Sequence, residues 1–415
     1  MTLSLQNSRV GKSILALSVA STLALLGACG ATEETVEQEA ALEADLAADF
    51  ATDDPSIPPA AFTDGLIKPS GDMSLADINL PDGFTIKKWA QVDGARTIVV
   101  GDGYVIVGTQ GESIYALPFD KETMQPGAVV TLGSGMKFPN GIALVDGVLY
   151  IAEQHRVVRW GDAAFDIANP QQTATQIGPD LPDLWHHGWR YMATTPDNQL
   201  LVATGSPCNV CTPKPLEGEI IRLDPATGAH ETIAMGIRNS VGVTIHPDNG
   251  DIYFTDNGAD MMGDDTPPGE VNRLTEDGKN YGFPWYGGGH DRTPQFKDVT
   301  PPEGLVFPVM DMQPHAASLG LMFYQGDMFP ASYKGSIILA QHGSWNRTFP
   351  VGYRLMHLPV GADGNPTSKA VFADGWLEKG DVTGRPVDVK ELPDGSLLVS
   401  DDMSSMIYRI TYSAE

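Results

Sequence analysis

The chain has 415 residues, 42% of them hydrophobic, with 45 glycines and 31 prolines, which excludes a disordered chain and a helical bundle and points to a turn-rich soluble fold. A formal net charge of −27 excludes a nucleic-acid surface, because phosphate binding needs a lysine and arginine footprint that is missing. An anionic ligand would need a local basic site, and most of the acidity serves solubility.

Residues 1–29 read as an export signal: Arg9 and Lys12 precede the run SILALSVASTLALLGAC, too short and small-residued for a membrane span. Its end, Leu26-Gly27-Ala28-Cys29, resembles a bacterial lipobox, which predicts a lipid anchor on Cys29 at the periplasmic side of a membrane. A plain signal peptide with an incidental cysteine is the alternative. Residues 30–75 are rich in acids, which predicts a solvated, flexible tether. Beyond Cys29 only Cys208 and Cys211 remain. In an oxidising compartment the pair is read as a small disulfide, since a thioredoxin-like setting, a haem histidine and a second zinc-ligand pair are all missing.

Residues 76–415 read as one folded domain, and they repeat. ARTIVVGDGYVIVGT, NGIALVDGVLYIAE, RYMATTPDNQLLVATGS, VGVTIHPDNGDIYFTDNG, LGLMFYQGDMFPASYKGSIILAQ and PVDVKELPDGSLLVSDD each read as a strand, a turn and a strand. Six such units in an all-β chain predict a six-bladed β-propeller, its ring closed by GFTIKKWAQ pairing with the last blade. The first strand of each blade lines the channel, so residues just ahead of it sit at one mouth. Arg96, Asn140, His186, His187, Arg190, Arg238, Asn239, His315 and Arg385 occupy those entrances. They predict a polar pocket of positive potential, suited to a planar anionic cofactor, with a neutral histidine able to take a proton from an alcohol. Asp264 and Asp265 read as a solvated acidic loop.

The segments GIRNSVGVTIHPDNGDIYFTDNGADMMGDD, HGWRYMATTPDNQLLVATGSPCNVC and AQHGSWNRTFPVGYR resemble the sorbosone and soluble glucose (pyranose) dehydrogenase family, propeller enzymes that use pyrroloquinoline quinone (PQQ). The resemblance spans about residues 80 to 412. It implies His187 as general base, with His186 as fallback, and Arg238 as the residue that stabilises charge on the quinone. It further implies cofactor contacts by Arg238, Asn239, Asn257, Arg190 and Arg385, and Ca2+ held by the carbonyls of Gly258 and Ala259. A fifth-blade lysine of the family has no counterpart, and Arg347 is taken in its place; a second late arginine is replaced by Val387. Trp189, Trp285 and Trp345 are candidates to cover the sugar or cofactor. The implied reaction is oxidation of a sugar or sugar-derived aldehyde or alcohol, with electrons passed to an external quinone or cytochrome. A calcium-dependent lactonase-type hydrolase and a non-enzymatic binding lipoprotein remain as other readings.

Overall fold

The computed structural model describes residues 74–414. The signal and nearly all of the tether read above lie outside the described residues.

Six four-stranded antiparallel blades follow in chain order, led by inner strands Ala95–Gly101, Gly141–Val145, Tyr191–Thr194, Val243–Ile245, Ser318–Phe323 and Pro386–Glu391. Each inner strand packs against the next, and the sixth returns to the first, so the ring is complete. Its closure comes from Phe84–Gln91, which pairs antiparallel with Met406–Tyr412 as the outer strand of blade 6, as the sequence predicted. The first and last strands of the propeller are thereby locked in one sheet, and Met406–Tyr412 is paired on both edges.

The second strands are the most apolar because blades bury both faces of their middle. Leu200–Thr204, Ile252–Asp256, Ile337–Gln341 and Leu397–Asp401 are buried along their whole length. Cores lie between neighbouring blades: Ile106, Ile114 and Leu132 of blade 1 pack on Ile142, Leu149 and Val158 of blade 2. Between the third strand of blade 4, Gly269–Leu274, and its outer strand, Met310–Met312, a long insertion adds Lys279–Asn280 in parallel to blade 3 and a small ladder, Tyr286–Gly288 with Asp291–Arg292. Such an excursion explains why the repeats are unequally spaced.

Antiparallel pairing brings the start of each inner strand beside the end of the second strand, as in Ala95 opposite Thr109 and Pro386 opposite Asp401. The second strands end in Thr109, Glu153, Thr204, Asp256, Gln341 and Asp401, all buried. One mouth of the channel is therefore built from entrances and exits together. Lower in the channel, Tyr191 of blade 3 donates to Asp388 of blade 6 (3.1 Å) and accepts from Lys390 (2.9 Å), a bridge between opposite blades.

Candidate active site

His187 sits in the turn ahead of blade 3 with a left-handed backbone (φ 51°). The conformation is held by Arg190, whose Nη1 donates to the His187 carbonyl (3.1 Å), and by the lack of a side chain at Gly205, where a Cβ would overlap the His187 Cβ and carbonyl. Its Nδ1 lies 3.0 Å from the Ser206 carbonyl and 3.2 Å from Ser206 Oγ. A carbonyl only accepts, and Ser206 Oγ gives its own proton to the Cys208 carbonyl (2.8 Å). Nδ1 therefore carries the proton and Nε2 presents a lone pair, the state a general base requires. Burial, then the neighbouring His186 and Arg238, push the His187 pKa well below its ordinary value, so the ring is neutral.

His186 packs on His187 with ring centroids 4.1 Å apart, and its Nε2 is buried without a hydrogen-bond partner among the described residues. Burial, with Arg238 adding to it, lowers its pKa to about 4. Two neutral imidazoles thus lie side by side under the field of Arg238, with Arg190 also acting on His187.

Arg238 is almost fully bonded. Nε donates to the Asn209 carbonyl (3.0 Å), Nη1 to the Asn257 carbonyl (3.1 Å), and Nη2 to Asn209 Oδ1 (2.9 Å) and Asp260 (2.6 Å). With five N–H donors in a guanidinium, one on Nη1 remains. The backbone N–H groups of Arg238 and Asn239 are gripped by Asp256, at 2.9 and 2.6 Å. Asn257 donates to the Asn239 carbonyl (3.0 Å), while Asn239 Oδ1 is buried with no hydrogen-bond partner among the described residues.

Arg385 contributes only Nε to Asp402 (3.0 Å); its Nη groups have no hydrogen-bond partner among the described residues. Asp402 is the hub on this side of the mouth, also accepting from Arg96 Nη1 (2.7 Å) and paired with His342 Nε2 (3.0 Å). Sequence reasoning missed both His342 and Asp402. They occupy the strand exits, and their signal was the polar pair closing each second strand, Gln341-His342 and Asp401-Asp402.

Two expected ligand residues are spent elsewhere. Arg190 is 1% exposed and donates Nε, Nη1 and Nη2 to the carbonyls of Gln154, His187 and Pro182. It holds the His187 turn in place and leaves the cofactor role without support. Arg347 donates Nη1 to the Asp264 carbonyl and Nη2 to Asp265 (2.9 Å), so the acidic loop is cross-linked to it instead of merely solvated. His315 likewise ties the Gly263 and Thr266 carbonyls, at 2.7 and 3.1 Å. The expected excess of positive potential is also corrected: Arg96, Arg238 and Arg385 each face Asp402 or Asp260. Of the three tryptophans, Trp189 lies under Arg96 (4.3 Å) and Trp285 packs on Phe296, while Trp345 is 53% exposed.

Gly258 and Ala259 follow the exit of blade 4. Ala259 is fully buried with its N–H on the Gly287 carbonyl (2.6 Å), yet neither the Gly258 nor the Ala259 carbonyl accepts a hydrogen bond among the described residues. The Ala259 carbonyl belongs to a fully buried residue, and buried carbonyls without partners are rare. A Cβ at Gly258 would come within 2.7 Å of the Pro268 carbonyl, so this close cradle requires glycine. No group of three or more His, Cys, Asp or Glu side chains converges to hold a metal among the described residues, which leaves these backbone oxygens as the candidate ligands. The Cys208–Cys211 disulfide read from the sequence is formed.

A sequence model of the glucose/sorbosone dehydrogenase family matches residues 178–409. An uncharacterized protein of Borreliella burgdorferi is 31% identical over 350 residues, covering 81% of this chain and 91% of its own. The fold is shared with the holo PQQ domain of pyranose dehydrogenase from Coprinopsis cinerea (TM-score 0.69, 18% identity, covering 83% of this chain and all of that one). The calcium structure of a family AA12 carbohydrate-active enzyme from Trichoderma reesei is similar as well (TM-score 0.67, 21% identity, 83% and 100%). So is the apo form of soluble aldose sugar dehydrogenase from Escherichia coli (TM-score 0.56, 16% identity, 80% and 100%).

Proposed function

The chain belongs to the glucose/sorbosone dehydrogenase family, and from that membership we propose that it is a quinoprotein oxidoreductase, oxidising a sugar or a sugar-derived aldehyde or alcohol with PQQ and Ca2+. The observation that carries the proposal is a mouth whose unused groups match that pair. Arg385 has free Nη donors, the fork geometry that pairs with a carboxylate. Asn239 Oδ1 and His186 Nε2 are buried and have no partner among the described residues. The Gly258 and Ala259 carbonyls offer the hard oxygen ligands that calcium takes. Arg385, Asn239, Asn257 and the free Nη1 N–H of Arg238 would hold the quinone, and the two carbonyls the ion. Fold neighbours solved as a holo PQQ domain and as a calcium structure favour the same assignment.

When bound, PQQ supplies a two-electron acceptor and calcium a Lewis acid beside it. His187 Nε2 takes the proton of the substrate hydroxyl, a role open to it because Ser206 fixes the proton on Nδ1 and burial keeps the ring neutral. Arg238, anchored from four sides, presents a fixed positive charge where negative charge develops, at no cost of reorganisation. Arg190 keeps His187 in its turn. Electrons then leave to an external acceptor, a quinone or a cytochrome. Export and lipid anchoring through Cys29 belong to the same proposal, supported by the pattern of residues 9–29.

Reconstituting the apo-protein with PQQ and Ca2+ and following dye reduction across aldoses and sorbosone-type aldehydes tests the proposal. Turnover that chelation abolishes is expected. A silent panel, or hydrolysis of lactones in its place, rejects it.

A further inference from the structure

Ser206 to Cys211 leave the second strand of blade 3 and form a tight loop closed by the Cys208–Cys211 bridge. A crosslink across so few residues restricts the unfolded chain far less than a long-range one, so its value lies in the shape of the native loop. That loop touches His187, Arg238 and Asp260, the blade 3 and blade 4 side of the site. Asn209, enclosed by the bridge, accepts Arg238 Nη2 (2.9 Å) and the Asp260 backbone N–H (2.8 Å) on Oδ1. Its carbonyl accepts Arg238 Nε (3.0 Å), and its Nδ2 donates to the Asp260 carbonyl (3.2 Å). Val210, the other enclosed residue, is buried against Ala259 and Phe296. Ser206 accepts the His187 Nδ1–H, donates its hydroxyl to the Cys208 carbonyl (2.8 Å), and donates its N–H to the Arg238 carbonyl (2.7 Å).

We infer that the disulfide loop is a positioning device for the site, and that Asn209 is the positioning residue through which it fixes the Arg238 guanidinium against Asp260. Asn209 touches no reacting atom. Without its amide, Arg238 keeps Asp260, which Asn346 also engages (2.9 Å), and the Asn257 carbonyl, but loses the Oδ1 acceptor on Nη2. The Asn209 carbonyl that accepts Nε loses the amide's two bonds to the Asp260 backbone that hold it in place. Displacements of about 1 Å in such a group cost on the order of 100-fold in rate, and loss of outer-shell partners about 10- to 100-fold. The inference rests on the charge-stabilising role proposed for Arg238, and extends it to a residue and a crosslink outside the reacting groups. It also makes the site sensitive to reductants, because opening the bridge frees Asn209, Val210 and Ser206 together.

Arginine-labelled apo-protein decides the matter by NMR, through hydrogen exchange of the Arg238 guanidinium protons, compared in wild type, Asn209→Ala, Cys208→Ser/Cys211→Ser and reductant-treated wild type. Exchange about tenfold faster or more is expected in all three perturbed samples. With PQQ and Ca2+ added, kcat should fall about 10- to 100-fold while KM moves less than about threefold. Unchanged guanidinium exchange in Asn209→Ala and in the reduced protein overturns the inference, whatever the rates. If wild type fails to take up PQQ, the functional reading falls while the exchange data still judge the loop. Should the double serine variant not fold, Asn209→Ala and the reduced protein carry the test.

Discussion

Replacing Asp402 by asparagine keeps the shape of the hub and removes its charge. The side chain is 1% exposed and serves Arg96, Arg385 and His342 at 2.7, 3.0 and 3.0 Å. Burial alone would raise the Asp402 pKa, but Arg385, His342 and Arg96 together hold it far below the usual carboxylate range. The carboxylate is therefore charged at every pH at which the protein is handled, and two nearly buried guanidinium groups depend on it. Breaking a buried pair by removing one partner costs about 3–5 kcal/mol, and with two cations stranded the upper half of that range is expected. Against a total stability of about 5–15 kcal/mol this is a large fraction. Urea unfolding followed by tryptophan fluorescence, to which the buried Trp376 contributes, should show a lower midpoint with an unchanged slope. Because the native pKa is depressed, the difference from wild type should persist above the unfolded-state value of about 4 and shrink as pH falls below it. Arg385→Met should cost less, since Asp402 keeps Arg96 and His342. A loss below about 1 kcal/mol for Asp402→Asn would refute the reasoning, because it would mean that the two arginines are neutralised or hydrated without the carboxylate.

His187→Ala should lower kcat by about 10²- to 10⁴-fold while PQQ affinity, read by fluorescence quenching, stays within a few-fold of wild type. Burial lowers the pKa of His186, and that of His342 despite Asp402, to about 4 each. Below about pH 6.5 the unfolded chain binds protons that the folded chain refuses, so stability should fall between pH 6.5 and 4 by roughly 1.4 kcal/mol per pH unit per histidine. Urea titrations across that range check it, and a flat profile contradicts it. Gly205→Ala places a methyl on the His187 Cβ and carbonyl, so about 1–3 kcal/mol of stability and at least about tenfold in kcat should be lost, measured by unfolding and steady-state rates.

The ring was legible because each blade is a local hairpin with a middle strand buried on both faces, and local pairing leaves a regular mark in sequence. The leading strand Phe84–Gln91 could be assigned to blade 6 for the same reason: it has no hairpin partner nearby and must pair with the far end of the chain. His187 and Arg238 could be placed at the mouth because inner-strand entrances are easy to locate. Their partners were not. Arg96 meets Asp402 across 306 residues, and nothing local in Asp401-Asp402 separates a buried hub from a turn. Nor does an arginine's place in the sequence say which way its side chain folds. Arg190 turns back onto three carbonyls and Arg347 onto the 264–265 loop, while Arg385 keeps its Nη groups unbonded. The spacing of Cys208 and Cys211 points to a small disulfide and nothing more, and only the geometry of Asn209 ties the loop to Arg238.

The most direct measurement is an anaerobic single turnover without any external acceptor. Protein loaded with one equivalent of PQQ and with Ca2+ is mixed with a sugar, and the quinone absorbance is followed in wild type and His187→Ala. Stoichiometric bleaching in wild type, slowed at least about 100-fold in the variant, is the expected result. A quinone spectrum unchanged by any sugar or aldehyde, or equal bleaching rates in the two proteins, would contradict the account.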